Sequence, residues 1–154
     1  MESINILERS KILKLDEPPF VGRFRYLEKL NFPIDSTIRC GILFLMAYWS
    51  GTSFRSFSRL KQTLERLDPA GLLEVVIVDV DGCEAYENVP EKIRAIVGGN
   101  GETAWIIKGK VIATASCGSH PKAFETYTRY LLDEGLAEAN FGNVGRPCGP
   151  NDYL

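Results

Sequence analysis

Ile42-Leu43-Phe44-Leu45-Met46-Ala47-Tyr48-Trp49-Ser50-Gly51-Thr52-Ser53-Phe54 decides how the rest of this chain is read. The apolar residues from Ile42 to Tyr48 run without alternation, which fits a strand covered on both faces better than one with a wet side. The run breaks at Ser50-Gly51, after which Phe54, Phe57, Leu60, Leu64 and Leu67 recur at helical spacing. Thr52 or Ser53 is placed to cap that helix, and Pro69 follows its end. A central strand thus passes through a hydroxyl-rich turn into a long helix.

Working outward, Lys11 to Leu15 alternates loosely and stops at Asp16-Glu17-Pro18-Pro19, which predicts a short strand. Phe24 to Leu30 reads as a short helix ending before Pro33. Leu72 to Val80 is a second β-branched run, followed by an Asp81-Gly82 turn and a helical segment over Glu91 to Val97. Strand, helix and strand in succession imply a parallel crossover. After Gly98-Gly99-Asn100-Gly101, Thr103 to Ile107 and Val111 to Ala115 flank Lys108-Gly109-Lys110, a hairpin spacing. Pro121 opens a last helix in which Ala123, Phe124, Tyr127, Tyr130 and Leu131 share a face, weakened near its end by Gly135. The order from Lys11 is βαβαββα. Residues 1–10 form an N-terminal extension, 11–137 the domain, and 138–154 a Gly/Pro/Asn-rich tail expected to bury little.

At 154 residues, 45% hydrophobic and 25% charged, the chain has the makings of one domain with a real core. Its 18 basic and 20 acidic residues leave a net charge of -2 with no like-charge block, so no basic face for nucleic acid is expected. The acidic N-terminus is unlike a signal peptide, and the run from Gly41 to Trp49 is too short to span a bilayer, so a soluble cytoplasmic protein is expected. Cys40, Cys83, Cys117 and Cys148 are widely spaced, with no Cys-x-x-Cys and a single histidine, His120. That pattern lacks zinc-ligand spacing and reads as free thiols in a reducing compartment, with Cys40 an apolar filler at the start of the core strand. No metal or cofactor is expected. Asp79 and Asp81 read as solvent-facing strand-end residues, and Gly98 to Gly101 as a turn rather than a phosphate loop, because it leads into a strand.

The order of elements, with Ala47-Tyr48-Trp49-Ser50-Gly51-Thr52-Ser53 after the central strand, Val78-Asp79-Val80-Asp81 at the end of the next, and the Thr103 to Val111 hairpin, resembles the thioredoxin-like superfamily from Lys11 to about Ala137. The resemblance implies an α/β thioredoxin-like fold: a central mixed sheet, a βαβ half followed by a ββα half, and helices on both faces. In that family two cysteines stand at the helix N-terminus, where the helix dipole and free amides favour a thiolate. Here those positions are Ser50 and Ser53. A hydroxyl cannot replace them, because thiol–disulfide exchange needs a thiolate that attacks sulfur and leaves again. By the same alignment the family's buried acid falls at Phe44 and its cis-proline at Glu102, where a cis bond would cost about 2.5 to 4 kcal/mol.

The expected function is therefore protein binding by a redox-inactive thioredoxin-fold chain, as an adaptor, inhibitor or immunity-type protein, with no dithiol oxidoreductase activity. The implied contact surface is Trp49, Ser50, Gly51, Val80, Glu102, Thr103 and Cys117. Tyr48, Trp49 and Trp105 supply the amphipathic area that interfaces favour, although both tryptophans could equally pack the domain. The alternative is an atypical thiol-redox protein using Cys117, alone or with Cys83. A serine hydrolase is excluded because neither Ser50 nor Ser53 lies in Gly-x-Ser-x-Gly. The partner's identity and the oligomeric state are not written in the residues.

Overall fold

The structure, a computed structural model, describes residues 11–28, 30, 32–80, 88–94, 96–116 and 122–141. Its centre is β2 (Cys40–Met46), buried at every residue as its unbroken apolar sequence requires. It pairs in parallel with β3 (Glu74–Asp79), so that Met46 stands beside Asp79, and antiparallel with β4 (Thr103–Ile107), so that Phe44 stands beside Thr103. β5 (Lys110–Ala115) closes a hairpin on β4, and β1 (Phe24–Leu27) flanks β3 in parallel. The result is an α/β structure around one five-stranded mixed sheet in the order β1-β3-β2-β4-β5. The hairpin turns through Lys108 and Gly109 at φ 50° and 76°, the paired left-handed backbone whose twist matches the flanking strands.

The first two elements exchange their expected types. Residues 11–13 are helical and lead into turns, whereas Phe24–Leu27, read as helix, is the edge strand β1. Five residues are too few to separate a period of two from one of 3.6, and Leu13 and Leu15 are buried under either description. Phe24 and Tyr26 carry strand propensity, and the exposed edge of β3 selects it.

The pleat divides the apolar strands between two layers. Ile42, Phe44, Met46, Val75, Ile77 and Trp105 face α1 (Gly51–Leu67) and the C-terminal helical segment. Leu43, Leu45, Val76, Val78, Ala104 and Ile106 face a smaller cover of Leu30, Ile34, Ile38, Val89 and Ile93, supplied partly by the short helix α2 (Glu91–Arg94). Burying a side chain of this size contributes roughly 1.5–3 kcal/mol, so both layers are needed to hold β2.

A largely buried ion pair ties the residue before β1 to the far end of α1. Arg23 bonds the Asp68 carboxylate, and Asp68 also accepts from the backbone N–H groups of Leu72 and Leu73 at 2.8 and 3.0 Å. The carboxylate thus fixes the turn that feeds β3.

The C-terminal segment runs further than expected. α3 (Ala123–Tyr130) passes through a π turn at Leu131–Gly135 into α4 (Leu136–Phe141). Gly135 lets the π turn close onto Ile107 and Cys40. Ala139 is buried and its carbonyl accepts from Arg39 at 3.0 and 2.9 Å, so the ordered unit does not stop at Ala137. Residues 1–10 and the rest of the tail, 142–154, lie outside the described residues, as do Pro121 and Cys148.

Candidate functional site

Parallel β2 and β3 end at the same edge of the sheet where antiparallel β4 begins, so the topology brings the β2–α1 turn, Val80 and Glu102 together. The turn starts at Ala47 and reaches α1 through Tyr48, Trp49 and Ser50. Ser50, rather than Thr52 or Ser53, is the N-cap: its Oγ accepts from the Ser53 N–H at 3.3 Å. Ser50 alone carries the extended backbone that an N-cap needs, while Thr52 and Ser53 are already helical.

Ser53 is sealed. It has no exposed surface, its Oγ accepts from the Ala47 N–H at 3.0 Å and donates to the Met46 sulfur at 3.5 Å. Both hydroxyls therefore serve the turn's own backbone, one as cap and one as a clip between strand and helix. Phe44 is fully buried and packs edge-on against Phe57, so no titratable group stands at that position.

Across the turn lies the loop 98–102, and Glu102 organises it. The carboxylate is buried and accepts from the N–H groups of Gly98 and Asn100, the latter at 3.0 Å. Its backbone carbonyl extends the β2 ladder by accepting from Leu45 at 2.9 Å. Glu102 is joined by trans bonds, since Pro18–Pro19 is the one cis peptide among the described residues. Thr103 is buried too, its hydroxyl donating to the Gly101 carbonyl at 3.0 Å. The side chains of Glu102 and Thr103 thus hold the loop instead of forming a contact surface.

Ser56 completes the clamp by donating to the Asn100 carbonyl at 2.8 Å. At Gly99, φ is 74° and a Cβ would run into the Trp49 ring; at Gly101, φ is 73° and a Cβ would run into Ser56. The glycine-rich loop is therefore a fitted seat for α1 and for Trp49, a role visible in the sequence only as a run of glycines.

No family model matches the chain, and no curated protein does.

Trp49 stands 68% exposed at this edge, while Gly51 is exposed and Ser50 and Val80 are partly so. Tyr48 is held beneath it by a 2.7 Å bond between its hydroxyl and that of Tyr26 and by edge-on packing with Phe54. Trp105, the other aromatic candidate, is fully buried. Asp79, expected to face solvent, is also fully buried, because β3 keeps both faces covered to its last residue. Asp81, Cys83, Cys117 and His120 lie outside the described residues.

Cys40 is a buried free thiol at the start of β2, where burial and then Glu74 push its pKa up to about 12. It stays a thiol at neutral pH and is inert as a nucleophile. Among the described residues no group of side chains could hold a metal ion, and no helix is long and apolar enough to cross a membrane. Among the described residues this edge carries no cysteine. It offers a projecting indole on a braced platform.

Proposed function

We propose that this chain is a thioredoxin-like protein whose redox site has been converted to structural use, and that it acts by binding another protein at the edge marked by Trp49. A parallel β2–α1–β3 unit followed by a β4–β5–α3 unit in one mixed sheet, covered on both faces, supports the fold reading. Engagement of Ser50 and Ser53 in capping and clipping supports the loss of exchange chemistry. The observation that carries the binding reading is Trp49: a large indole, 68% exposed, fitted against Gly99 rather than folded into the core. Indoles held rigidly at a surface lose little side-chain entropy on binding and are enriched at interface centres.

The test is a quantitative pull-down from native extract comparing the intact chain with Trp49→Ala, after circular dichroism has shown both folded. The expected result is a discrete protein retained by the intact chain and lost with the variant. Identical retention by both would overturn the assignment of the interface to this edge.

A further inference from the structure

Away from that edge, α1 and residues 12–20 border an open-mouthed cavity of about 430 Å³. Leu13, Pro19, Phe20, Phe54 and Phe57 give it one apolar wall, and the rest of the lining is mostly polar. Into this wall α1 sends one cation. The Lys61 ammonium lies 5.0 Å from the centre of the Phe20 ring and 5.8 Å from that of Phe57. Its one hydrogen bond is to the Leu13 carbonyl at 3.3 Å. An ammonium has three donors, so two are open.

Glu17 and Glu65 also line the cavity, yet neither is ion-paired with Lys61. Burial lowers the lysine's pKa, opposed in part by Glu17 and Glu65 and helped by Lys14. A partly buried cation with open donors, beside aromatic faces and space of ligand size, is arranged as a receptor for an anion with an apolar body. The two glutamates limit the charge that can enter: a phosphate dianion would meet them with twice the repulsion of a carboxylate and only one lining cation, Lys61, in return.

We propose that this cavity binds a small amphipathic monocarboxylate, its apolar body against Phe20, Phe54 and Phe57 and its carboxylate on the two open donors of Lys61. The site shares Phe54 with the packing beneath Trp49 but does not depend on the function assigned to that edge.

The test is calorimetric titration of the full chain with decanoate, decanol and decylamine, with chemical-shift mapping of the Phe54 and Phe57 signals. Decanoate is expected to bind saturably at one site, shift both signals, and weaken as pH rises through the lowered lysine pKa. Lys61→Met keeps the apolar stem and is expected to weaken decanoate by about tenfold or more, the range for a charge-assisted contact. Glu65→Gln removes a repelling carboxylate and is expected to tighten it by roughly twofold, as a screened surface charge would; this variant decides the matter should Lys61→Met fail to fold. Absence of saturation, equal affinity for decanol, tighter binding of decylamine, or indifference of decanoate to both substitutions would each overturn the proposal.

Discussion

Trp49 and Trp105 are the same residue put to opposite uses. Trp105 lies in the middle of β4 on the helix-covered face, fully buried, with its indole N–H donating to Thr128 at 3.1 Å and its ring edge-on to Phe124 and Tyr127 at 5.6 and 5.0 Å. Trp49 comes three residues after β2 ends, where no layer remains to cover it, and a glycine seat holds it in place at the surface. Position in the sheet, and not residue type, decides which tryptophan belongs to the core and which to the surface.

The strongest way to break this contrast is Trp105→Ala. It removes a large buried ring and leaves the Thr128 hydroxyl without its donor, with an expected loss of about 3–5 kcal/mol in urea unfolding. A loss below about 1 kcal/mol would show that the ring is not a core element.

Gly99→Ala sharpens the other side. The new Cβ meets the Trp49 ring on a backbone at φ 74°, so about 1–2 kcal/mol of stability should be lost and the Trp49 emission should shift. Unchanged emission would mean that the glycine seat does not position the indole.

Ser50→Ala deletes the cap of α1 and is expected to cost about 1 kcal/mol without altering either tryptophan's fluorescence. Trp49→Ala has the smallest expected effect on folding, within about 0.5 kcal/mol, while abolishing the acrylamide-quenchable part of the emission. A cost comparable with that of Trp105→Ala would erase the distinction between the two rings.

Much of the fold is legible because long periodic or continuous apolar segments leave little choice: β2, α1, β3 and the β4–β5 hairpin stand within a few residues of where the pattern puts them. The N-terminal third is not legible in the same way. Lys11 to Leu15 is too short to show its period, and β1 is specified by the open edge of β3, a tertiary fact absent from its own residues. The end of the domain is hidden for a similar reason, since Ala139 is secured by Arg39, 100 positions earlier in the sequence.

At the site, the placement of Trp49, Ser50 and Ser53 follows from the strand–turn–helix pattern. What Ser53 does, and the inward turn of Glu102 and Asp79, does not. A polar residue at a strand end normally meets water, and only the pairing of β2 with β3 and the return of loop 98–102 take that water away. The Lys61 cavity was equally invisible, because it forms between residues 12–20 and a helix some forty positions later.

The claim on which the functional reading rests is that this protein carries no working dithiol, and it is tested most directly by equilibrating the purified full chain in glutathione buffers from about −180 to −300 mV. Free thiols are trapped by alkylation and counted by intact mass. The predicted result is one constant thiol count across that range, with no intramolecular disulfide formed or lost. A reversible two-electron step, with a Cys83–Cys117 bond appearing as the buffer becomes oxidising, would contradict it.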